Sequence, residues 1–250
     1  TLGLQGEVSA DRPLAAGRIA GSAKHFLADG GTVDGKDQGD FQGTEQELID
    51  VHLSGYPQAI DAGVLSIMAS FSSWNGAKHS GNETILTDVL RGPLGLDGFV
   101  VSDWNAHGQL PGCTNESCAL AFNAGIDMFM APDSWKPLYE STLAQVRSGE
   151  IPMARLDEAV RRLLTMKFLS GVFESPYVDA AAAESKEATP DAIALARETA
   201  QRAMVLLKND RGVLPLRADR IRKLAVLGTH ARDTPIGGYS EVPRHVVSVL

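Results

Sequence analysis

The feature that most constrains the fold is an alternation of short apolar runs with helical patterns. The runs are SAKHFL, LSIMASF, GFVVSDW and IDMFMA, at residues 22–27, 65–71, 98–104 and 126–131. Alternation of this kind is typical of parallel strands joined by crossover helices. The sequence therefore predicts four successive β-α units.

Residues that start and stop helices stand between these runs. Thr44 and Glu47 form a T-x-x-E capping box, which predicts one helix that begins there and is closed by Gly63. Shorter helices are predicted to stop at Gly92 and at Gly125. Each predicted helix leads directly into the next apolar run.

A longer helix is predicted after the fourth run. Its apolar residues recur at spacings of three and four, which predicts a buried face and a solvated face. The buried face would consist of Leu156, Val160, Leu163 and Leu164, and the solvated side of Arg155, Arg161 and Arg162.

Four β-α units make half of an eightfold barrel, and a closed barrel of this type takes roughly 250 residues by itself. The predicted fold class is therefore α/β, with residues 1–173 forming the C-terminal part of a TIM-like barrel that extends beyond this chain. An open doubly wound sheet is the alternative. No G-x-G-x-x-G follows the first strand to support a dinucleotide site in such a sheet.

A change in residue composition after Phe173 predicts a domain boundary. The segment 174–190 is small, polar and bounded by prolines, which is typical of an interdomain linker. Beyond it, the pattern predicts a helix over 191–207 and a strand over 224–229. Residues 191–250 would thus begin a second α/β domain.

Charge and hydropathy limit the partners. The net charge of −8 is spread along the 250 residues without a basic stripe, which argues against nucleic acid and favours a neutral substrate. No apolar run approaches the roughly 18–20 residues that span a bilayer, so no membrane partner is predicted.

The chain has two cysteines, Cys113 and Cys118, in the loop PGCTNESC. A C-x4-C pair between turn residues favours a disulfide and hence a periplasmic or secreted protein. Two free thiols are the alternative. A metal site is disfavoured because only His107 is near, short of the four ligands of a structural zinc.

Polar and aromatic side chains gather at the carboxyl ends of the predicted strands, where parallel barrels carry their catalytic groups. Lys24 and His25 end the first run, and Asp103 ends a very apolar one. An ionised Asp there needs a polar pocket to stay charged, although an Asp that caps the next turn is the alternative explanation. Lys24 and His25 are donors suited to sugar hydroxyls, and Asp29 is a candidate acceptor.

Five ordered motifs resemble glycoside hydrolase family 3, and especially its exo-acting β-glucan glucohydrolases and β-glucosidases. They are AKHFLADGGTVDG at 23–35, MASFSSWNG at 68–76, GFVVSDW at 98–104, NAGIDMFM at 123–130 and VLLKNDRGVLPL at 205–216. The resemblance implies a barrel followed by an α/β sandwich domain, with residues 191–250 beginning the sandwich.

The resemblance also implies roles for individual residues. Asp103 of the SDW motif would be the nucleophile, and Lys24 and His25 would bind the non-reducing sugar. Trp104 would flank the leaving-group subsite and Met68 would lie near the sugar. Phe71 departs from the pattern, because related sequences often have Tyr at this position.

The implied reaction is retaining hydrolysis of β-linked glucosides or oligosaccharides, with no metal and no cofactor. In glucan hydrolases the acid/base is a Glu of the second domain, which we expect beyond residue 250; Glu241 is a weaker local candidate. These 250 residues alone are therefore expected to be inactive. The alternatives are a non-catalytic sugar-binding relative, a phosphorylase and a β-N-acetylglucosaminidase, the last disfavoured because KHFLADGG lacks that branch's second His.

Overall fold

A computed structural model describes residues 1–9, 11–186, 188–232 and 248. The chain divides into two compact units, Thr1–Tyr177 and Val178–Leu250. Glu241 lies outside the described residues. Within the described ranges no helix is both long and apolar enough to cross a bilayer.

The first unit contains short strands, α-helices and two π-helical segments. Its strands are β1 Ser22–Phe26, β2 Asp40–Phe41, β3 Ser66–Ala69, β4 Ser73–Trp74, β5 Ala77–Lys78, β6 Phe99–Trp104 and β7 Met128–Met130. Its α-helices are α1 Leu2–Gln5, α2 Glu45–Glu47, α3 Tyr56–Asp61, α4 Ala119–Ala124, α5 Trp135–Ser148 and α6 Met153–Leu169, and its π-helical segments are Leu48–Leu53 and Thr84–Val89.

The four predicted apolar runs form one parallel sheet in the order β1-β3-β6-β7. Ile67 of β3 pairs with Val100 of β6, and both side chains are fully buried in the main hydrophobic core. In this sheet each strand pairs with the strand formed by the next apolar run, and helical segments connect them. This is the arrangement found in part of a TIM-like barrel. The predicted fold class is confirmed.

A second, small sheet was not predicted. It has the order β2-β4-β5 and is built from the loops that follow β1 and β3. Its two-residue strands are too short to leave a periodic signal in the sequence. They lie directly after the carboxyl ends of the main strands, where the candidate site residues are.

The capping box is confirmed, whereas the single helix predicted after it is wrong. Thr44 Oγ1 accepts the Glu47 N–H at 3.2 Å, and Glu47 Oε2 accepts the Thr44 N–H at 2.7 Å. The chain then runs through a π-helical segment and begins again as α3, with Gly55 as its N-cap and Pro57 in its first turn. Proline has no N–H to continue a preceding helix, so the interruption has a local cause.

The predicted orientation of α6 is only partly correct: Arg161 is exposed and Leu156 packs against a core cluster, as predicted. Val160 and Leu164 are exposed, whereas the Arg155 and Arg162 side chains are mostly buried. Both guanidinium groups bind Oδ1 of Asp127, at 2.8 and 3.0 Å, and this carboxylate has no exposed surface. Ionic pairing at a buried carboxylate therefore adds Arg155 and Arg162 to the inward face, which already holds Leu156, and apolar periodicity does not predict this.

Asp127 directly precedes β7 and has further partners. Arg91 Nη2 binds its Oδ2 at 2.7 Å, and the Val100 N–H donates to the same oxygen at 2.9 Å. Burial lowers the pKa of Arg91 to about 10, with the Asp127 charge opposing that shift. The Asp127 carboxylate, with partners at both oxygens, therefore links three arginines to the amino-terminal end of the sheet.

The second unit contains α7 Ala180–Lys186, inside the predicted linker, and α8 Pro190–Ala203. Thr189 caps α8 by accepting the Ala192 N–H. The helix is shorter than predicted, and 224–229 do not form the predicted strand. Strand formation needs a hydrogen-bonded neighbour, and the described residues of this unit contain no other strand. The domain division at 173 and 190 stays a prediction.

Candidate active site

Asp103 lies at the carboxyl end of β6. The preceding strand residues are buried, and the Asp103 side chain is 18% exposed. Its Oδ1 accepts the Trp104 N–H at 2.7 Å. The next turn, Ala106–Gln109, has Asn105 as its N-cap with no side-chain cap. The alternative that Asp103 caps this turn is therefore wrong.

His25, at the end of β1, is the side chain that the structure brings to this carboxylate. Its Nε2 lies 3.6 Å from Asp103 Oδ2. Lys24 is exposed, forms no ion pair with a described carboxylate, and lines a separate cleft of about 370 Å³ beside Tyr56. Successive side chains of a strand point to opposite faces, and these two residues accordingly have different surroundings.

The register of β1 contains an irregularity at these two residues. Ala23 pairs with Ile67 and Phe26 with Ala69, so three steps along β1 match two along β3. The strand thus holds one extra residue here, and His25 lies toward the carboxyl end of β6.

Asp29 follows β1 as the first residue of a one-turn 3-10 helix, Asp29–Gly31. Its Oδ2 lies 3.1 Å from Nδ1 of His25, so the predicted acceptor is already engaged by a side chain of the site. Asp29, His25 and Asp103 thus form a row, with the imidazole between two carboxylates.

The end of β3 supplies Met68, which is half-buried and pairs in register with Val101 of β6. Two buried serines that follow were not singled out from the sequence. The hydroxyls of Ser70 and Ser72 are 2.7 Å apart, and Ser72 Oγ donates to the Leu27 carbonyl at 3.2 Å. They join the carboxyl ends of β3 and β1. In the sequence, the S-x-S motif after an apolar run was the signal that could have identified these two serines.

Trp74 and Trp104 have different surroundings. Trp74 packs against the main core and donates from Nε1 to the Gly43 carbonyl at 2.9 Å. Trp104 is 56% exposed at the end of β6. An exposed indole next to the candidate carboxylate provides a flat apolar surface for a ring.

The small sheet supports the rim of the site through polar contacts. Lys78 Nζ donates to the carbonyls of Gln38 and Phe71, at 3.0 and 2.9 Å. Asp40 Oδ1 accepts from Ser73 Oγ at 2.7 Å, the largest cause of a lowered Asp40 pKa. The loops after β1 and β3 are therefore held together by hydrogen bonds to charged groups.

Cys113 and Cys118 form a disulfide with a Cα–Cα distance of 4.7 Å, as predicted. The bridged loop contacts His107, which is fully buried and donates from Nε2 to the Asn115 carbonyl at 3.0 Å. Burial lowers the pKa of His107. The disulfide loop thus anchors the segment that directly follows Trp104.

Comparison with protein families agrees with this arrangement. The model of the glycosyl hydrolase family 3 N-terminal domain matches residues 2–166, and the model of the family 3 C-terminal domain matches 204–250. The chain belongs to glycosyl hydrolase family 3. The resemblance drawn from the five sequence motifs is confirmed.

Individual members of family 3 resemble the chain over most of its length. A periplasmic β-glucosidase of Salmonella typhimurium is 33% identical over 99% of this chain, and a β-xylosidase of Formosa agariphila is 30% identical over 99%. The crystal structure of an exo-1,3/1,4-β-glucanase from a Pseudoalteromonas species is 45% identical over 86% of the chain, with a TM-score of 0.78. The chain covers 33%, 37% and 27% of these proteins, respectively.

Proposed function

We propose that the whole protein is a retaining glycoside hydrolase that releases glucose from the non-reducing end of β-glucosides or β-glucans. The observation that carries the proposal is the Asp103 carboxylate, which ends a buried strand, is mostly shielded and faces His25. Relatives named β-glucosidase and exo-1,3/1,4-β-glucanase support glucose as the sugar.

In the proposed reaction an Asp103 oxygen attacks the anomeric carbon while an acid protonates the leaving oxygen. A glycosyl ester of Asp103 forms, and the C–O bond to the leaving group breaks. The same acid/base group then takes a proton from water, whose oxygen attacks the anomeric carbon and breaks the ester bond to Asp103. The acid/base stays a prediction, namely a Glu beyond residue 250, and retaining geometry requires its carboxyl about 5–5.5 Å from the nucleophile.

The other site residues would hold the sugar. His25, whose Nε2 faces Asp103, would bind a hydroxyl next to the anomeric carbon. The sugar contact expected of Lys24 stays a prediction, because Lys24 lines a cleft separate from the Asp103 carboxylate. Met68 and Trp104 would contact the sugar ring and the leaving group, respectively.

A trapping experiment tests the nucleophile. The whole protein is incubated with an activated 2-deoxy-2-fluoro-β-glucoside, in which fluorine destabilises the oxocarbenium-like transition states and lets the glycosyl ester accumulate. Mass spectrometry should find one fluoroglucosyl group on the peptide that contains Asp103. A label on another carboxylate would refute the assignment, and phosphate-dependent turnover would favour the phosphorylase alternative.

Matched variants complete the test. Asp103→Asn should reduce kcat by at least about 10⁴-fold with an unchanged circular dichroism spectrum, because an amide cannot form the ester. Asp133→Asn changes an exposed carboxylate in the loop after β7 and should stay within about twofold of the original protein. Comparing aryl β-glucosides with aryl β-xylosides distinguishes the activities named for the two curated relatives.

The protein is further proposed to act in the periplasm or outside the cell. The Cys113–Cys118 disulfide is of a type that persists in oxidising compartments, and the Salmonella relative is named periplasmic. Alkylation of the protein as isolated from its host, without reductant, should label neither cysteine.

A further inference from the structure

The carboxylate of Asp29 is coupled to the nucleophile through one imidazole. Its Oδ2 lies 3.1 Å from His25 Nδ1, and the opposite ring nitrogen, Nε2, lies 3.6 Å from Asp103 Oδ2. His25 is the one ion-pair partner of Asp29 among the described residues. From this position the Asp29 carboxylate acts on the His25 ring more directly than on a bound ligand.

A carboxylate next to Nδ1 controls which nitrogen of the ring carries a proton. An ionised carboxylate can only accept hydrogen bonds, and Asp29 Oδ2 is nearer to Nδ1, at 3.1 Å, than Asp103 Oδ2 is to Nε2, at 3.6 Å. The nearer carboxylate therefore favours the Nδ1–H form of the ring. Nε2 then faces Asp103 across a gap longer than a direct hydrogen bond.

The surroundings of Asp29 favour this fixed role. Tyr56 of α3 contacts Phe26 edge to face at 4.8 Å, and burial, followed by the negative charge of Asp29, raises the pKa of Tyr56. The carboxylate therefore stands near a phenol that stays neutral. Asp29 also starts the Asp29–Gly31 turn, whose N-cap Ala28 has a φ of 60°.

We propose that Asp29 is a positioning residue, which holds His25 in the Nδ1–H form so that Nε2 can engage a substrate hydroxyl beside Asp103. This replaces the sequence-based expectation that Asp29 binds the sugar itself. The proposal rests on the proposed glycosidase function for its kinetic consequence, whereas its structural part concerns the imidazole alone.

The test compares Asp29→Ala and Asp29→Asn in the whole protein, with Asp37→Ala as the control for an exposed carboxylate in the same loop. The ring nitrogens of His25 are read by 15N NMR at about pH 8.5, well above the ordinary pKa of imidazole, and assigned by their loss in His25→Gln. Protonated Nδ1 is expected in the original protein and in Asp37→Ala. In Asp29→Ala the ring should revert to Nε2–H, the form preferred by a free histidine side chain.

Kinetics supply the second measurement. Asp29→Ala should lower kcat/KM for an aryl β-glucoside about tenfold, as for loss of one charge-assisted hydrogen bond, whereas Asp29→Asn should recover most of it because its carbonyl oxygen can still accept from Nδ1–H. An unchanged Nδ1–H signal in Asp29→Ala would overturn the proposal. So would an activity loss equally large in both variants with the tautomer intact.

The two proposals fail separately. If fluoroglucoside labels a residue other than Asp103 while Asp29→Ala still switches the tautomer, the proposed nucleophile is wrong and the positioning role stands. If Asp103 is labelled and the tautomer does not respond to Asp29, the positioning role is wrong and the proposed nucleophile stands.

Discussion

Nη2 of Arg155 donates to Oδ1 of Asp127 at 2.8 Å, at the end of the sheet opposite to Asp103. The two aspartates lie at neighbouring strands of one sheet, yet they have different surroundings. Asp127 is surrounded by three guanidinium groups and a backbone N–H, whereas Asp103 accepts one backbone N–H and faces an imidazole. In parallel barrels, the amino-terminal end serves stability and the carboxyl-terminal end serves chemistry.

Asp127→Asn should therefore destabilise the protein without acting on the proposed chemistry. Three mostly buried guanidinium groups would lose their common anion, and breaking a buried pair costs about 3–5 kcal/mol. Denaturant unfolding should detect this loss. Asp97→Asn, at an exposed position near the start of β6, should stay within about 0.5 kcal/mol of the original protein. Equal stabilities of the two variants would contradict the role given to Asp127.

His79 should make the free energy of unfolding decrease as the pH is lowered. Its side chain is fully buried, and burial, followed by the charge of Lys78, lowers its pKa to about 4 from 6.5. The unfolded chain thus binds a proton more readily than the folded one, so this stability is complete above pH 6.5 and is lost as the pH falls toward 4. The expected loss is about 3 kcal/mol.

His79→Leu provides the measurement for that pH dependence. The variant has no imidazole to protonate, so its free energy of unfolding should change less between pH 6.5 and 4 than that of the original protein. The difference between the two slopes isolates His79 from carboxylates, which titrate in both proteins. Parallel pH profiles would exclude the proposed cause.

Replacing Cys113 and Cys118 by serine should destabilise the loop that follows β6. The bridge joins cysteines five positions apart, and the loop-entropy model gives about 2 kcal/mol for so short a ring. Hydrogen exchange should accelerate at 107–118, where His107 depends on the Asn115 carbonyl. Unchanged exchange there would mean that the buried His107 holds the loop without the disulfide.

Trp104→Ala should weaken the use of large leaving groups. Its indole is exposed beside Asp103, and a stacking contact worth about 1 kcal/mol corresponds to roughly a fivefold loss in kcat/KM. The loss should appear with a β-glucosyl disaccharide and be smaller with methyl β-glucoside. Trp135→Ala, at an exposed indole on α5, is the control and should not discriminate between the two substrates.

Local patterns in the sequence correctly predicted much of the framework. Four apolar runs became four parallel strands, the T-x-x-E box capped its helix, and Gly125 ended α4 with a φ of 126°. Each of these outcomes depends on nearby residues and backbone preferences, and the position of Asp103 at the end of β6 follows from them. The chemical role of Asp103 came from family resemblance and still awaits the trapping experiment.

Tertiary structure decided which charged groups meet. Asp127 binds arginines 28, 35 and 36 positions away, and their attraction turns α6 so that Arg155 faces inward and Val160 outward. His25 rather than Lys24 of β1 lies near Asp103, and the turn after β1 returns Asp29 to His25. Helical and strand periodicity describe one element at a time, whereas electrostatic pairing depends on distances that exist only after the strands and helices have packed.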